Sequence, residues 1–389
     1  MESNPSLRKK KREFDMTLGF GHVKRLAALL LFGLVALSCS KGSATEEVEY
    51  KKELSFNGYI ARSVTKAEGN SVPGTKAGDS FVSTGELPGG KAFGVYAYNT
   101  GSATTFVPAN IGDYSVFMSN VGVTYNGSGS STPSNYTYSP TRYWPNSKES
   151  NRLAFFAYYP YGGAGITGVS GFGSISFEVQ QSPASQVDFM ISDVESNQMY
   201  GSATGGTDIE KLKFYHMLTQ VRFKGITDAP VALTTPEERP GATVKINSLQ
   251  LTGIIKKGVL TPAVSASSST WAQESETDTY TIILKDINLP SNYDDNTVEA
   301  ADIAEANQTL LLLPQTLAST AKIVVNYTIT TSKPVRTITE RKELPINSVT
   351  SAWVRNQQIV YTLNIGLHPI EFSAEVVDWS GSEQIVNVN

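Results

Sequence analysis

The chain has 389 residues, 40% hydrophobic and 17% charged, with 32 basic residues, 36 acidic residues and a single cysteine. Seven basic and three acidic residues precede Cys39, so the remainder carries 25 against 33 and a formal charge of −8, a balance that argues against a nucleic-acid partner held through phosphates. This length exceeds one ordinary core and makes two domains the expectation, and the abundance of Gly, Ser, Thr and Tyr suits turn-rich β-sheet better than helical bundles.

Near the N-terminus Lys24-Arg25 leads into an apolar block, residues 26–37, too short to span a bilayer, and Ser38-Cys39-Ser40 follows. A basic region, a short apolar core and a small residue before a cysteine make an export signal. Cys39 has two readings: its thiol takes a lipid, or it is incidental beside an ordinary cleavage site. Ala36-Leu37-Ser38-Cys39 fits the lipid-attachment pattern, although Leu is more usual than Ala at the third position before the cysteine. A lone cysteine in an exported chain has no internal disulfide partner, which favours lipid. The run Arg8 to Arg12 is read as leader ahead of a start at Met16, with Met1 the other candidate start, rather than as a nucleic-acid patch. No later apolar run approaches membrane-spanning length, so Cys39 is the expected anchor.

Residues 45–52 form a polar tether, and residues 54–60 alternate as a strand. Residues 64–90 lack periodicity, which leaves Arg62, Lys66 and Lys76 open to a trypsin-like protease. Strands are expected at 92–98 and 121–125, the latter followed by the turn signal Asn126-Gly127. Aromatic-rich stretches at 136–140, 142–145 and 153–160 mark the centre of a first core. Strands at 175–179 and 186–190 and the segment 209–223 complete that set. Residues 225–240 hold three prolines without a pattern, and the domain boundary is placed there, at 228/229. The second half restarts as a strand at 244–251. Lys256-Lys257-Gly258 reads as a turn, 265–278 as a polar loop and 302–307 as one helical turn. Strands at 280–284, 309–315, 323–329, 358–365 and 370–379 close the chain. The fold class is all-β, two β-sandwich domains in tandem, over 63–228 and 229–389.

The sequence offers little chemistry. His22, His216 and His368 have no partners at ligand spacing, so no metal site is expected, and His216 reads as a packed histidine. No nucleophile elbow, Walker loop or dinucleotide fingerprint appears; the spaced glycines from Gly171 lead into a strand. Asp188 with Asp193, or Asp294 with Asp295, are the nearest candidates for a carboxylate pair, the second reading as a solvated loop or a weak calcium-like cluster. Tyr143 and Trp144 suit either sugar stacking or a core. The expectation is a protein without enzymatic activity, cofactor or metal.

Several stretches together resemble the fimbrillin family of Bacteroidales, the lipoprotein precursors of type V pili. They are the signal ending at Cys39, Tyr143-Trp-Pro145, Leu153-Ala-Phe-Phe-Ala-Tyr-Tyr-Pro160, Asp188-Phe-Met190, Leu212-Lys-Phe-Tyr-His-Met-Leu218, Leu311-Leu-Leu-Pro-Gln315 and Phe372-Ser-Ala-Glu-Val-Val-Asp-Trp379. The resemblance implies two transthyretin-like sandwiches, export as an outer-membrane lipoprotein, and assembly into a cell-surface fimbria with other subunits by strand exchange. A sandwich that loses a strand exposes unpaired edges and an apolar groove, a template for a donated strand. The resemblance implies a lipidated pro-segment over 39–62, following a signal peptide over 1–38. An arginine-specific protease would cut after Arg62, with Lys66 less favoured, and remove a strand carrying Leu54, Phe56, Tyr59 and Ile60. The C-terminal run with Ile370, Phe372 and Val376 is the candidate donor, or simply the last strand of its own sandwich. Only ten residues follow Trp379, which leaves open a tip or anchor subunit. The alternative is a surface lipoprotein that binds a glycan or a host or bacterial surface ligand without polymerising.

Overall fold

A computed structural model describes residues 52–60, 91–126, 136–145, 150–200, 209–233, 239–367 and 370–379. Among these the protein is all-β, with 3-10 turns and no α-helix. In chain order the first strands are β1 (Ser55–Ile60), β2 (Ala92–Gly101), β3 (Ser115–Tyr125), β4 (Tyr136–Thr137), β5 (Arg152–Tyr159), β6 (Ile166–Ser170), β7 (Ser174–Glu178), β8 (Met190–Ser192), β9 (Glu195–Gln198) and β10 (Ile209–His216). They continue as β11 (Thr219–Ile226), β12 (Ala242–Ile255), β13 (Lys257–Thr261), β14 (Thr270–Gln273), β15 (Thr277–Ile282), β16 (Ala301–Asp302), β17 (Leu310–Leu312), β18 (Lys322–Ser332), β19 (Val335–Pro345), β20 (Gln357–Asn364) and β21 (Glu371–Asp378).

The largest sheet runs β1-β10-β8-β5-β2-β3-β4, with β9 also on β5. Its central strands are apolar at almost every position because both faces are covered. On one face Phe93, Val95, Ala97, Leu153, Phe155, Ala157 and Tyr159 enclose a compact core with Leu54, Phe56, Leu212 and Phe214. On the other, Tyr96, Tyr98, Phe156 and Tyr158 join a second core that extends through the C-terminal half to Ile365. The period-2 alternation of side chains divides one apolar run between two cores.

Strand pairing also joins the two halves of the sequence. β7 pairs with β13 in a sheet ordered β14-β13-β7-β6, where Phe177 stacks on Phe189 at 5.0 Å and both meet Trp271 edge-on at 6.4 and 5.8 Å. β11 pairs in parallel with β20 and belongs to the sheet β16-β11-β20-β21, with β17 also on β11. The last sheet is β15-β12-β18-β19. The chain thus changes sheet between β10 and β11, ahead of the expected boundary at 228/229. The joint there is buried and fully bonded. Met217 N–H donates to Phe189 O and its carbonyl accepts from Trp271 Nε1, while Leu218 O accepts from Asn356 N–H.

Four local expectations differ from the structure, the first being the strand at 186–190, which begins only at Met190 and runs to Ser192. Lys256-Lys257-Gly258 is no hairpin turn: β12 ends at Ile255 and β13 starts at Lys257 in another sheet. Both lysines are held by Glu276, at 2.8 Å each, and by Glu178. The expected loop at 265–278 contains β14, because Trp271 is an apolar anchor within a polar run. The expected helical turn at 302–307 is extended: Arg222 Nη2 holds both oxygens of Asp302 at 2.9 and 3.0 Å, and Ala301-Asp302 pair with β11.

Because β7 and β13 share a sheet, truncating their common core is expected to affect both halves together. Phe177→Ala should cost about 3–5 kcal/mol, measured by chemical denaturation, with coincident circular-dichroism and tryptophan-fluorescence transitions.

Candidate functional site

The large sheet curls until its edges meet, and β1 is the strand that closes it. Its six residues pair in parallel with β10, from Ser55 opposite Ile209 to Ile60 opposite Phe214. Just before β1, Glu53 forms an antiparallel bridge with Tyr143, Leu54 N–H donates to Arg142 O, and Trp144 N–H donates to Lys52 O, each bond 2.9 Å. Leu54 is fully buried and Phe56 is 1% exposed. The Phe56 ring stands edge-on to Tyr138, Phe155 and Phe93, with centroids 5.4, 5.9 and 6.5 Å away. Among the described residues the pairing partners of β1 and of the residues just before it are all far along the chain.

On the side away from β10 the backbone of β1 is met by phenols in place of a ladder. Tyr138 Oη donates to Leu54 O at 2.7 Å and accepts from Arg142 N–H at 3.2 Å, inserting a hydroxyl into the bridge. Tyr136 Oη donates to Gly58 O at 3.3 Å. Burial pushes both phenols above their ordinary range and keeps them as donors. β4 itself spans only Tyr136–Thr137 and pairs with β3, so these side chains supply what a longer strand would supply by backbone.

Two acids lie under this closure. Glu210, opposite Phe56 on β10, is fully buried, and neither carboxyl oxygen has a hydrogen-bond partner. Burial first, and Glu195 second, hold its carboxyl well above the usual range. Glu195 pairs across to Phe155, and burial, then Asp193, push it up to about 7, against a lowering by Lys213.

Three of the motifs singled out in the sequence converge elsewhere. Asp188 Oδ2 bonds His216 Nδ1, and the imidazole stacks on Trp379 at 4.3 Å and 16°. His216 is thus the packed histidine expected, and it ties the end of β21 to β10. Asp188 and Asp193 form no catalytic pair, since Asp193 accepts from Tyr215 Oη at 2.8 Å and Ala266 N–H at 2.7 Å. Asp294 is held by Arg239, and Asp295 accepts from the Thr297 backbone and hydroxyl. Trp144 is buried at 3% exposure while Tyr143 is 44% exposed, so the pair forms no joint sugar platform. No group of three or more His, Cys, Asp or Glu able to hold a metal occurs among the described residues.

Of the expected strand-exchange residues, Leu54 and Phe56 sit in the core as read. Ile60 takes the last register position, although its side chain and that of Tyr59 are outside the described residues. Ile370, Phe372 and Val376 are half-buried beside the second core, the last two on β21, whose whole length pairs with β20 at the sheet edge. Cys39, Arg62 and Lys66 also lie outside the described residues. Tyr136, Tyr138 and Glu210 were not singled out as site residues: an aromatic-rich strand and one acid in a polar-apolar run carry no signal until their neighbours across the sheet are known.

This is an all-β protein with a strand from near its N-terminus closing a sheet whose other strands come from far along the chain. The chain belongs to the fimbrillin-like family, whose model matches residues 75–379. Among solved structures it is similar to a fimbrial protein from Bacteroides vulgatus, at 19% identity and a TM-score of 0.55 over 84% of this chain and 99% of that one. A cell-adhesion protein from Bacteroides uniformis aligns at 18% identity and a TM-score of 0.44, over 75% of this chain and 92% of its own. No curated protein matches the chain in sequence.

The hydroxyl contacts predict that Tyr136→Phe with Tyr138→Phe loosens β1 by about 1–3 kcal/mol, the cost of buried carbonyls left unpaired. Hydrogen–deuterium exchange read by mass spectrometry should quicken across 55–60 and stay unchanged in β5. The raised acids make stability fall with pH. Between the ordinary glutamate value of 4.5 and about 7 the unfolded chain has released the Glu195 proton while the folded chain keeps it, so stability is greatest below that window and is lost as pH rises through it. Melting temperatures across this range should fall in the native chain and fall less steeply in Glu195→Gln, where Glu210 remains as the raised acid.

Proposed function

We propose that the chain is a non-enzymatic structural subunit of a cell-surface fimbria, with two sandwich domains. It is exported as an outer-membrane lipoprotein precursor anchored through Cys39 and activated by an arginine-specific protease that cuts after Arg62. Cutting there leaves β1 bound only by non-covalent contacts, and its loss opens a groove lined by Leu212, Phe214, Phe93 and Phe155 with the free edge of β10. An extended strand from another subunit would refill it by edge pairing. The observation that carries this reading is the setting of β1: paired, among the described residues, with a strand far along the chain, and capped on its outer side by side chains. Membership of the fimbrillin-like family supports it.

A second reading is favoured by β21. Its full pairing with β20 and the stack of Trp379 on His216 hold the candidate donor in its own sheet. The subunit would then accept a strand without donating one, at the tip or anchor of a fimbria. A ligand-binding surface lipoprotein that does not polymerise is the remaining alternative.

The test treats residues 40–389 with a trace of trypsin-like protease, locating the cut by mass spectrometry and following assembly by size exclusion. A single cut near Arg62 followed by a ladder of oligomers is expected of a shaft subunit, and a cut chain that stays monomeric of a tip subunit. Arg62→Ala should abolish both maturation and assembly; normal polymers from that variant would sink the proposal.

A further inference from the structure

Glu210 is anomalous in its setting. It shares a strand face with Leu212 and Phe214 by the alternation of β10, against a core of apolar and aromatic side chains. It is fully buried and has no hydrogen-bond partner on either oxygen, an arrangement that costs free energy unless something satisfies it. The residues that β1 offers to this face are Leu54, Phe56 and Gly58, and none has a side-chain donor. The charged group that acts on Glu210 is Glu195, another acid, and Lys213 acts on Glu195. β1 fits poorly on its other face too, where Asn57 Oδ1 is buried without a partner.

Resting on the strand-exchange reading above, we propose that the groove under β1 is built for a strand of a different protein, one that sets a lysine or arginine against Glu210. The position directly opposite is that of Phe56, and the diagonal one is that of Gly58, which a long side chain reaches across about 7–8 Å. An ammonium or guanidinium there turns the orphaned carboxyl into a buried, hydrogen-bonded ion pair. A basic stem also runs along apolar walls at little cost. The occupant is not a second copy of this chain's C-terminal strand. Residues 370–389 contain no lysine or arginine and carry Glu371, Glu375, Asp378 and Glu383, which would bring like charge to an acidic pair. Charge therefore gives the groove a preference that apolar packing alone would not.

The test uses residues 40–389 cut after Arg62 and labelled peptides competing for the groove, read by fluorescence anisotropy. The peptides are residues 52–62, the same sequence with Phe56→Lys or with Gly58→Lys, and residues 370–389. At least one lysine peptide should bind about tenfold or more tightly than either natural sequence, and the preference should vanish in Glu210→Gln, or in Glu210→Leu should that variant fold better. If residues 370–389 bind as well as the lysine peptides, or the preference survives in the Glu210 variants, the inference is overturned and strand exchange stands. If no peptide binds, residues 52–62 included, the groove does not exchange strands and both readings fall.

Discussion

The structure depends on one closure. An open sheet of eight strands would leave two free edges, and here the edges are brought together by a six-residue strand whose described partners are remote in sequence. Its hold comes from three physical sources: a parallel ladder on β10, burial of Leu54 and Phe56 among aromatic rings, and phenolic hydroxyls that take its outer carbonyls. None of them is local, so the strand's stability is tertiary throughout.

Around that closure the remaining sheets are tied together more tightly than tandem beads would be. The change of sheet at Met217-Leu218 is a buried joint whose backbone groups bond to three distant segments. β7 and β13 pair across the halves, and a continuous core runs from Tyr96 to Ile365. The Asp188–His216–Trp379 cluster adds a polar and aromatic tie between β10 and the end of β21. β1 faces the smaller core, and the joint belongs to the larger one.

Polar burial is uneven across these two regions. At the joint and around Lys256, groups meet partners of opposite charge or complementary hydrogen bonding. Beneath β1, Glu210 is buried with neither carboxyl oxygen bonded, and Glu195 adds a second acid to its field. A fold stable enough elsewhere tolerates such a site, and unsatisfied groups in native proteins concentrate where a ligand or a change of state is expected.

The sequence by itself determined the fold class, because period-2 alternation and turn residues are local properties of the chain. Once a strand is granted over 54–60, alternation also puts Leu54 and Phe56 on one face, both of which are buried, with Tyr59 on the other. The aromatic stretches placed β5 at the centre of a core, though not that the two faces of β5 serve different cores. Only the tertiary structure decided the joint at Met217-Leu218, the strand hidden around Trp271 and the extended path of Ala301-Asp302, since each is settled by a partner far along the chain. The same holds for Tyr136, Tyr138 and Glu210. Their side chains have meaning only relative to β1, which pairing with β10 brings beside them, and no pattern within their own segments encodes that neighbour.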